Sequence, residues 1–403
     1  MRESEAGVAL VLVNTNREQG VARLKIRVKA QGYPQEWLLK SGGRAQPIYR
    51  RQGEWVEIET SLTPGGERAY LMAQAPLGAN PRPLAPQPCR VVPISGEFAY
   101  RLTEPNALAL DFARWRVDDG AWQEEDEVLK VDRKARAMLG LAPRGGDMLQ
   151  PWFIAQRPKE VKGKVALRFG FYVERLPDDP VELAMEEKDA FEVSVNGVPM
   201  DKRARGWWVD PCYSRLAIPQ GVLKPGENVV EIETGYHAGS NLEAMYLLGN
   251  FGVRTESDGR VVMTGLPRRL ALGDLRSQGL PFYGGGVELT VPVESALEIG
   301  ETALLRLNGL GGCAAVRVED AETICWAPYT ARVESLIREH GAVRLTLLLT
   351  RRNTFGPLHM LPERIPGYGP DCFLTEGEHF TRAYATLPNG LEQGARIEIY
   401  KED

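Results

Sequence analysis

Phe191-Glu-Val-Ser-Val-Asn196-Gly197, then Trp207-Trp208-Val-Asp210-Pro-Cys-Tyr213, Ile218, Pro225-Gly226-Glu-Asn228 and Val229-Val-Glu-Ile-Glu233 form the stretch that decides the fold, because a diverged copy of it returns later in the chain. The copy runs Ala315-Val-Arg-Val-Glu319, Trp326-Ala-Pro-Tyr329, Val333-Glu-Ser-Leu336-Ile337, His340-Gly341 and Val343-Arg-Leu-Thr-Leu-Leu-Leu349. Each copy is an alternating strand, an aromatic loop, a short apolar segment, a Gly turn and a final alternating strand. A repeat on this scale marks a duplicated structural unit. The period of two makes it a β unit, because alternate residues of a strand face opposite sides of a sheet. The second copy lacks both the Asn-Gly and the Pro-Gly-x-Asn of the first.

Working outward, Val165-Ala-Leu-Arg-Phe-Gly-Phe-Tyr-Val173 opens the first copy and Gly286-Val-Glu-Leu-Thr-Val-Pro-Val293 the second. Nearer the N-terminus, Val8–Val13 reads as a buried strand and Ala22–Val28 as a half-exposed one. Trp37-Leu38-Leu39, Pro47-Ile48-Tyr49, Trp55–Glu59 and Ala69–Met72 follow at the spacing of a small immunoglobulin-like sandwich. Pro81–Pro88 carries four prolines, which exclude helix and inner strand, so it reads as a linker. Glu124–Leu139 is the best helical stretch, with Gly140 as its C-terminal cap. The expected organisation is an immunoglobulin-like sandwich over 1–92, a connecting strand pair and helix over 93–159, and two β-sandwiches over 160–275 and 276–403. The fold class is all-β.

Composition narrows the function. At 403 residues the chain is long enough for several cores. Its formal net charge of −5 and scattered arginines give no electrostatic case for nucleic acid or an anionic membrane. No apolar run approaches the roughly 20 residues that span a bilayer, and the acidic start does not resemble an export signal. A soluble chain without its own targeting signal is expected, in a compartment the sequence leaves open. Its start in a strand suits a piece of something larger. The five cysteines have no Cys-x-x-Cys spacing and read as free thiols, with a Cys313–Cys325 disulfide as the alternative. The four histidines lack metal-ligand spacing, and no cofactor is expected. A structural calcium is compatible with such folds, with Asp178 or Asp201 as a ligand.

In order, Val195-Asn196-Gly197, the aromatic loop and Leu223-Lys-Pro225-Gly226-Glu-Asn228 resemble the galactose-binding-like, jelly-roll domain of glycoside hydrolases, the sugar-binding domain of family-two and α-L-rhamnosidase-like enzymes. Gln150-Pro151-Trp152, Leu242–Phe251, Gly279–Gly284 and Arg352–His359 also look like segments of the rhamnosidase-like group, so the resemblance covers about 95–403. It implies two galactose-binding-like jelly rolls after the first sandwich. Those enzymes hold their catalytic carboxylates in a (β/α)-barrel, and this chain lacks the strand–helix alternation a barrel requires. The resemblance therefore implies a non-catalytic carbohydrate-binding or structural region of a glycoside hydrolase, binding polysaccharide or oligosaccharide or docked to a catalytic glycosidase domain or subunit.

Candidate contacts follow from what a sugar needs: an apolar ring face to stack on and carboxylates to accept hydroxyl protons. Trp207 and Trp208 are adjacent, so in an extended segment one points inward and one outward. Asp210 and Tyr213 follow in the same loop; Trp326 and Tyr329 hold the comparable loop of the second copy. Glu243 lies in an apolar stretch where a carboxylate needs a partner, beside Tyr246 and Asn250. Tyr283 completes the expected sugar-binding set. Asn196-Gly197 and Pro225–Asn228 read as turns, and Asp118-Asp119, Asp178-Asp179 and Glu186-Glu187 as solvated acidic turns. Arg157, His237 and Tyr283 have no spacing that supports a lyase. The enzymatic alternative is a glycosidase with its site between the sandwiches, built from Glu243, Asp210 and Glu186. A third reading is a structural interaction module whose aromatic loops bury against a partner.

Overall fold

A computed structural model describes residues 2–4, 7–16, 19–39, 42–78, 80–81, 88–143, 156, 159–294 and 296–401. Gln150-Pro151-Trp152, Arg157 and most of the proline-rich segment lie outside them. The protein is mostly β, with several separate sheets and three apolar cores. No described helix is long and apolar enough to cross a membrane.

The N-terminal core shows how alternation builds the sheets. In Trp55–Leu62, Val56 and Ile58 are fully buried while Glu57 and Glu59 face outward. Glu59 takes Arg23 and Lys25 of the paired strand Val21–Lys29. Glu67–Ala73 brings Tyr70 and Met72 from the other sheet to the same core. The buried reading of Val8–Val13 is corrected: of residues 8–13 in the strand Gly7–Val13, Leu10 alone is buried, while Val11 and Val13 stand 57% and 61% exposed. The run alternates like its neighbours, with Val11 and Val13 turned away from the core that holds Leu10.

The repeat is real at the level of topology. In the first copy Phe112–Val117, Gly163–Val173, Gly226–Tyr236 and Glu192–Val195 lie side by side in that order, all antiparallel. In the second, Glu97–Leu102, Gly286–Pro292, Ala342–Leu349 and Cys313–Val318 repeat the order. The companion sheets agree as well. Asn106–Leu110, Met245–Gly249, Glu182–Met185 and Asp210–Ala217 match Arg90–Ile94, Ala395–Lys401, Glu301–Leu307 and Thr330–Arg332. Each pair of sheets shares one core, with Val165, Leu167, Leu183 and Leu216 in the first and Val287, Leu289, Leu305 and Leu345 in the second.

The copies are nested. The second unit's first two strands, Arg90–Ile94 and Glu97–Leu102, precede the first unit, whose strands occupy 106–264. Buried polar groups fasten the crossing. Asn106 Nδ2 donates to the carbonyls of Phe251 and Gly279 at 2.8 and 3.0 Å. The Tyr283 hydroxyl accepts from the Thr103 amide at 3.1 Å and donates to the Gly286 carbonyl at 2.8 Å.

Local chemistry sets the turns. Asn196 and Gly197 both have positive φ (49° and 80°), as a type I′ hairpin requires. Asn196 then donates to the Val222 carbonyl and to Asn228 Oδ1, both at 2.8 Å, and accepts from the Val229 amide at 3.0 Å. The helix begins later than expected, at Val128, and runs to Met138. Gln123–Glu127 instead pairs with Phe112–Val117, because Glu127 is the N-cap: its carboxylate accepts the Leu129 and Lys130 amides at 3.1 and 3.2 Å. Arg136, only 1% exposed, pairs with Asp132 at 3.0 Å and donates to the Ser240 carbonyl at 2.6 Å, which fixes the helix against the first unit.

Candidate functional site

A cleft of about 400 Å³ opens at one end of the first unit. Three parts of the chain build it. The start of the strand Asp210–Ala217 and the segment running into Met245–Gly249 contribute Asp210, Cys212, Tyr213, Glu243 and Tyr246. The junction at Asp111 and the helix start contribute Asp111, Glu127 and Leu129. The long connection between Ala342–Leu349 and Ala395–Lys401 of the second unit reaches across with Phe355, Leu358, His359 and Phe373.

One wall is aromatic. Tyr213 and Phe355 stack at 16° with centroids 5.6 Å apart, and Tyr246 meets both edge-on at 5.7 Å. Trp208 lies behind them, 4% exposed and 5.0 Å from Tyr246. Its neighbour Trp207 points outward and is 57% exposed. The two indoles thus take opposite faces, and it is Tyr213, not either Trp, that lines the cleft.

The floor is ionic. His359 Nε2 lies 3.0 Å from Asp111 Oδ2, and its Nδ1 lies 2.9 Å from the Thr381 carbonyl. With Asp111 ionised, both acceptors take an N–H from the ring, which is then an imidazolium. Burial opposes that charge, but the Asp111 charge and hydrogen bond outweigh it, and the His359 pKa stands above its ordinary value. The Tyr384 hydroxyl completes Asp111 at 2.6 Å. Beside them the Glu127 carboxyl is pushed up to about 7, first by burial and then by the Asp111 charge, against the lowering effect of its two amide donors.

The upper rim is acidic. Asp210 is exposed, and its carboxylate accepts the Cys212 amide at 2.9 Å. Glu186 departs from a solvated turn: burial and the neighbouring Glu243 charge raise its pKa. Burial and these same acids push the Cys212 thiol up to about 12, so it stays protonated.

The structure therefore brings Asp210, Tyr213 and Glu243 together, with Trp208 behind them. It does not bring the others. Tyr283 is buried in the crossing between units, with its hydroxyl committed. Trp326 is 58% exposed and Tyr329 packs on the second core, away from the cleft. His237 uses Nδ1 to accept the Gly239 amide. Asp201 accepts from Arg203, and among the described residues no three Asp, Glu, His or Cys side chains are gathered to hold a metal. All five cysteines are free, Cys313 and Cys325 included.

Sequence reading missed Asp111, Glu127, His359, Tyr384 and Phe355. Asp111 carried a signal, since it interrupts the wholly apolar run Ala107–Phe112 and a carboxylate there demands partners. The others come from segments whose meeting only the nested topology explains.

No family model matches the chain, and no curated protein is similar to it. Among solved structures it is similar to a rhamnosidase from Novosphingobium sp. PP1Y, at 19% identity over 59% of this chain and 19% of that one, with a TM-score of 0.18. It is similar to a β-D-glucuronidase from Dictyoglomus thermophilum at 11% identity, over 61% of this chain and 38% of that one, with a TM-score of 0.21. An FMN-binding β-glucuronidase from Facaelibacterium prausnitzii L2-6 gives 10% identity, over 60% and 34%, with a TM-score of 0.20. The chain spans less than two fifths of the length of each of these glycoside hydrolases.

Proposed function

We propose that the chain is a carbohydrate-binding region without catalytic activity of its own, and that the cleft of the first unit is its sugar site. The observation that carries this reading is the pairing of an aromatic wall, Tyr213 on Phe355, with a rim of acceptors, Asp210 and Glu243. A pyranose presents C–H groups on its faces and hydroxyls at its edge, which is the complement of such a wall and rim. The cleft volume suits a small part of a longer chain, so an oligosaccharide end or a single branching residue is the expected occupant. In this reading the units are an immunoglobulin-like sandwich at the N-terminus and two galactose-binding-like jelly rolls, the first over 106–264 and the second over 90–102 with 270–401. A catalytic glycosidase domain or subunit is the natural partner.

A glycosidase is the second reading, favoured by one observation: Glu127 titrates near neutrality beside other carboxylates, as a general acid does. Against it, both Glu127 oxygens are held by helix amides, so the group is anchored as a cap. Titration with a panel of neutral oligosaccharides, read by calorimetry with reducing-sugar release measured on the same mixtures, separates the two. Binding without release, lost in Tyr213→Ala, supports the proposal. Release that disappears in Glu127→Gln replaces it with the enzyme, and absence of both binding and release removes the sugar site.

A further inference from the structure

A second concavity, about 850 Å³, runs along the junction of the two units and has the opposite character. Arg101, Arg205, Arg215 and Arg268 line it, with only Glu104 and Glu182 as acids. Both acids are occupied. Arg351 grips Glu104 with both terminal nitrogens, one at 2.6 Å, and Arg215 Nε holds Glu182 at 2.7 Å. Arg101 is spent on Glu288 at 2.7 and 2.9 Å. That leaves Arg205 and Arg268, both exposed, and neither guanidinium donates to an acceptor among the described residues. The protein is acidic overall, so two uncompensated arginines in one groove are a local reversal of its charge.

Their backbones are held in place. The Arg205 amide donates to the Arg215 carbonyl at 2.8 Å, and the Arg215 amide returns to Gly206 at 3.0 Å. On the far side the Tyr100 hydroxyl holds the Pro267 carbonyl at 2.8 Å, and Arg269 donates twice to the Glu97 carbonyl. Arg268 therefore projects from a pinned turn. Between the arginines the lining is Pro105, Pro180, Leu248 and Pro267, which is apolar but not aromatic, apart from Tyr100 with its committed hydroxyl.

We propose that this groove binds a carboxylate-bearing oligosaccharide, with Arg205 and Arg268 each taking a carboxylate of the ligand. The planar guanidinium fork matches a carboxylate in bidentate fashion. The proline and leucine floor suits the C–H faces of sugar rings. A single-stranded nucleic acid would need stacking platforms the groove lacks. The inference stands apart from the cleft: no residue of one lines the other.

The test is calorimetric titration of the purified chain with tetragalacturonate, a neutral galacto-oligosaccharide of equal length, and a short oligothymidylate. At about 0.01 M ionic strength tetragalacturonate binds and the neutral oligomer does not, and the affinity falls on going to about 0.15 M, as the Debye length shrinks from about 30 to about 8 Å. Arg205→Ala with Arg268→Ala lowers the affinity about tenfold or more at an unchanged melting temperature, and the double Lys variant falls between. No binding of tetragalacturonate by the wild type, equal affinity in the double Ala variant, equal binding of the neutral oligomer, or tighter binding of the oligothymidylate would each overturn the proposal.

Discussion

The two nested units share one topology, yet the aromatic and acidic cleft lies on the first. The four central strands of each sheet correspond, and three connections between them differ. Between the first two strands, the first unit has Asp111 where the second has only Ser95 and Gly96. After Phe112–Val117 the first unit adds a further strand and the capped helix, whereas Glu97–Leu102 leads away into the nested unit. Before Met245–Gly249 the first unit needs only 237–244, whereas before the matching strand Ala395–Lys401 the second spends 350–394 and sends that length over its neighbour. The framework is set by apolar alternation, which both copies keep. The site is set by what the connections contribute, and one unit's longest connection furnishes the other's wall.

The sharpest break in this comparison is at Asp111. It is 4% exposed and pairs with the buried His359 ring and the Tyr384 hydroxyl. Asp111→Ala leaves both uncompensated and is expected to cost about 3–5 kcal/mol. Ser95→Ala, at the matching junction of the second unit, is expected to stay within about 0.5 kcal/mol. Urea unfolding of both variants measures the contrast. A loss below about 1 kcal/mol at Asp111 would mean that the ion pair does not hold the long connection in place.

The next effect is a pH dependence that arises in the first unit's cleft. The Glu127 pKa rises on folding from about 4.5 to about 7, so the folded state holds that proton more tightly. Its contribution is complete below about pH 4.5 and is lost as pH rises through about 7, at most about 3 kcal/mol. His359 is also raised, so its contribution has the same sign but is lost later, above its ordinary value of 6.5. Melting curves should therefore show Glu127→Gln gaining on the wild type as pH rises from about 4.5 to about 7, with the His359 decline setting in above about 6.5 in both proteins. Parallel curves for the two proteins across the range would contradict the burial of Glu127.

A smaller contrast tests the shared framework. The turn after Glu192–Val195 is Asn196-Gly197, and at the matching turn of the second unit Asp320 takes φ 55°. Asn196 adds three hydrogen bonds to its turn, so Asn196→Ala should cost about 2 kcal/mol. Asp320→Ala forfeits the tolerance for positive φ and should cost about 1 kcal/mol. Equal costs would mean that the Asn196 network is redundant.

The same distinction explains what could be read in advance. Strands such as Gly163–Val173 and Ala342–Leu349 were legible because burial on one face writes a period of two into the residues. The Asn196 turn was legible because positive φ restricts residue type. The helix start was misplaced because Glu124 to Asp126 suit a first helical turn as well as an exposed strand, and only the Glu127 cap chooses between them. The nesting was not legible, because Arg90–Ile94 and Glu97–Leu102 look the same whichever unit they join. Half the cleft followed from that nesting: Asp210, Tyr213 and Glu243 lie within the first copy, while Phe355 and His359 arrive from the second.

The final contrast is between the two aromatic loops, which occupy comparable places in the repeat. Trp207 and Trp326 are both exposed, at 57% and 58%, and by exposure alone either would serve as a sugar platform. The difference is in what surrounds them. Tyr213 in the first loop has Phe355 stacked on it and lies beside Asp210 and Glu243, so one face and one edge of a sugar can be held together. Trp326 does not line the cleft. Stacking alone on an exposed ring is weak, of the order of 1 kcal/mol, whereas loss of a ring that also positions hydrogen bonds removes more. Tyr213→Ala should weaken neutral oligosaccharide binding about tenfold or more, equivalent to about 1.4 kcal/mol, while Trp326→Ala should leave it within about twofold. Tryptophan fluorescence gives an independent reading: ligand should perturb Trp208, behind the cleft wall, in the Trp326→Ala protein as in the wild type. If Trp326→Ala is the variant that loses binding, the second unit carries the sugar site, and the long connection serves only to join the two units.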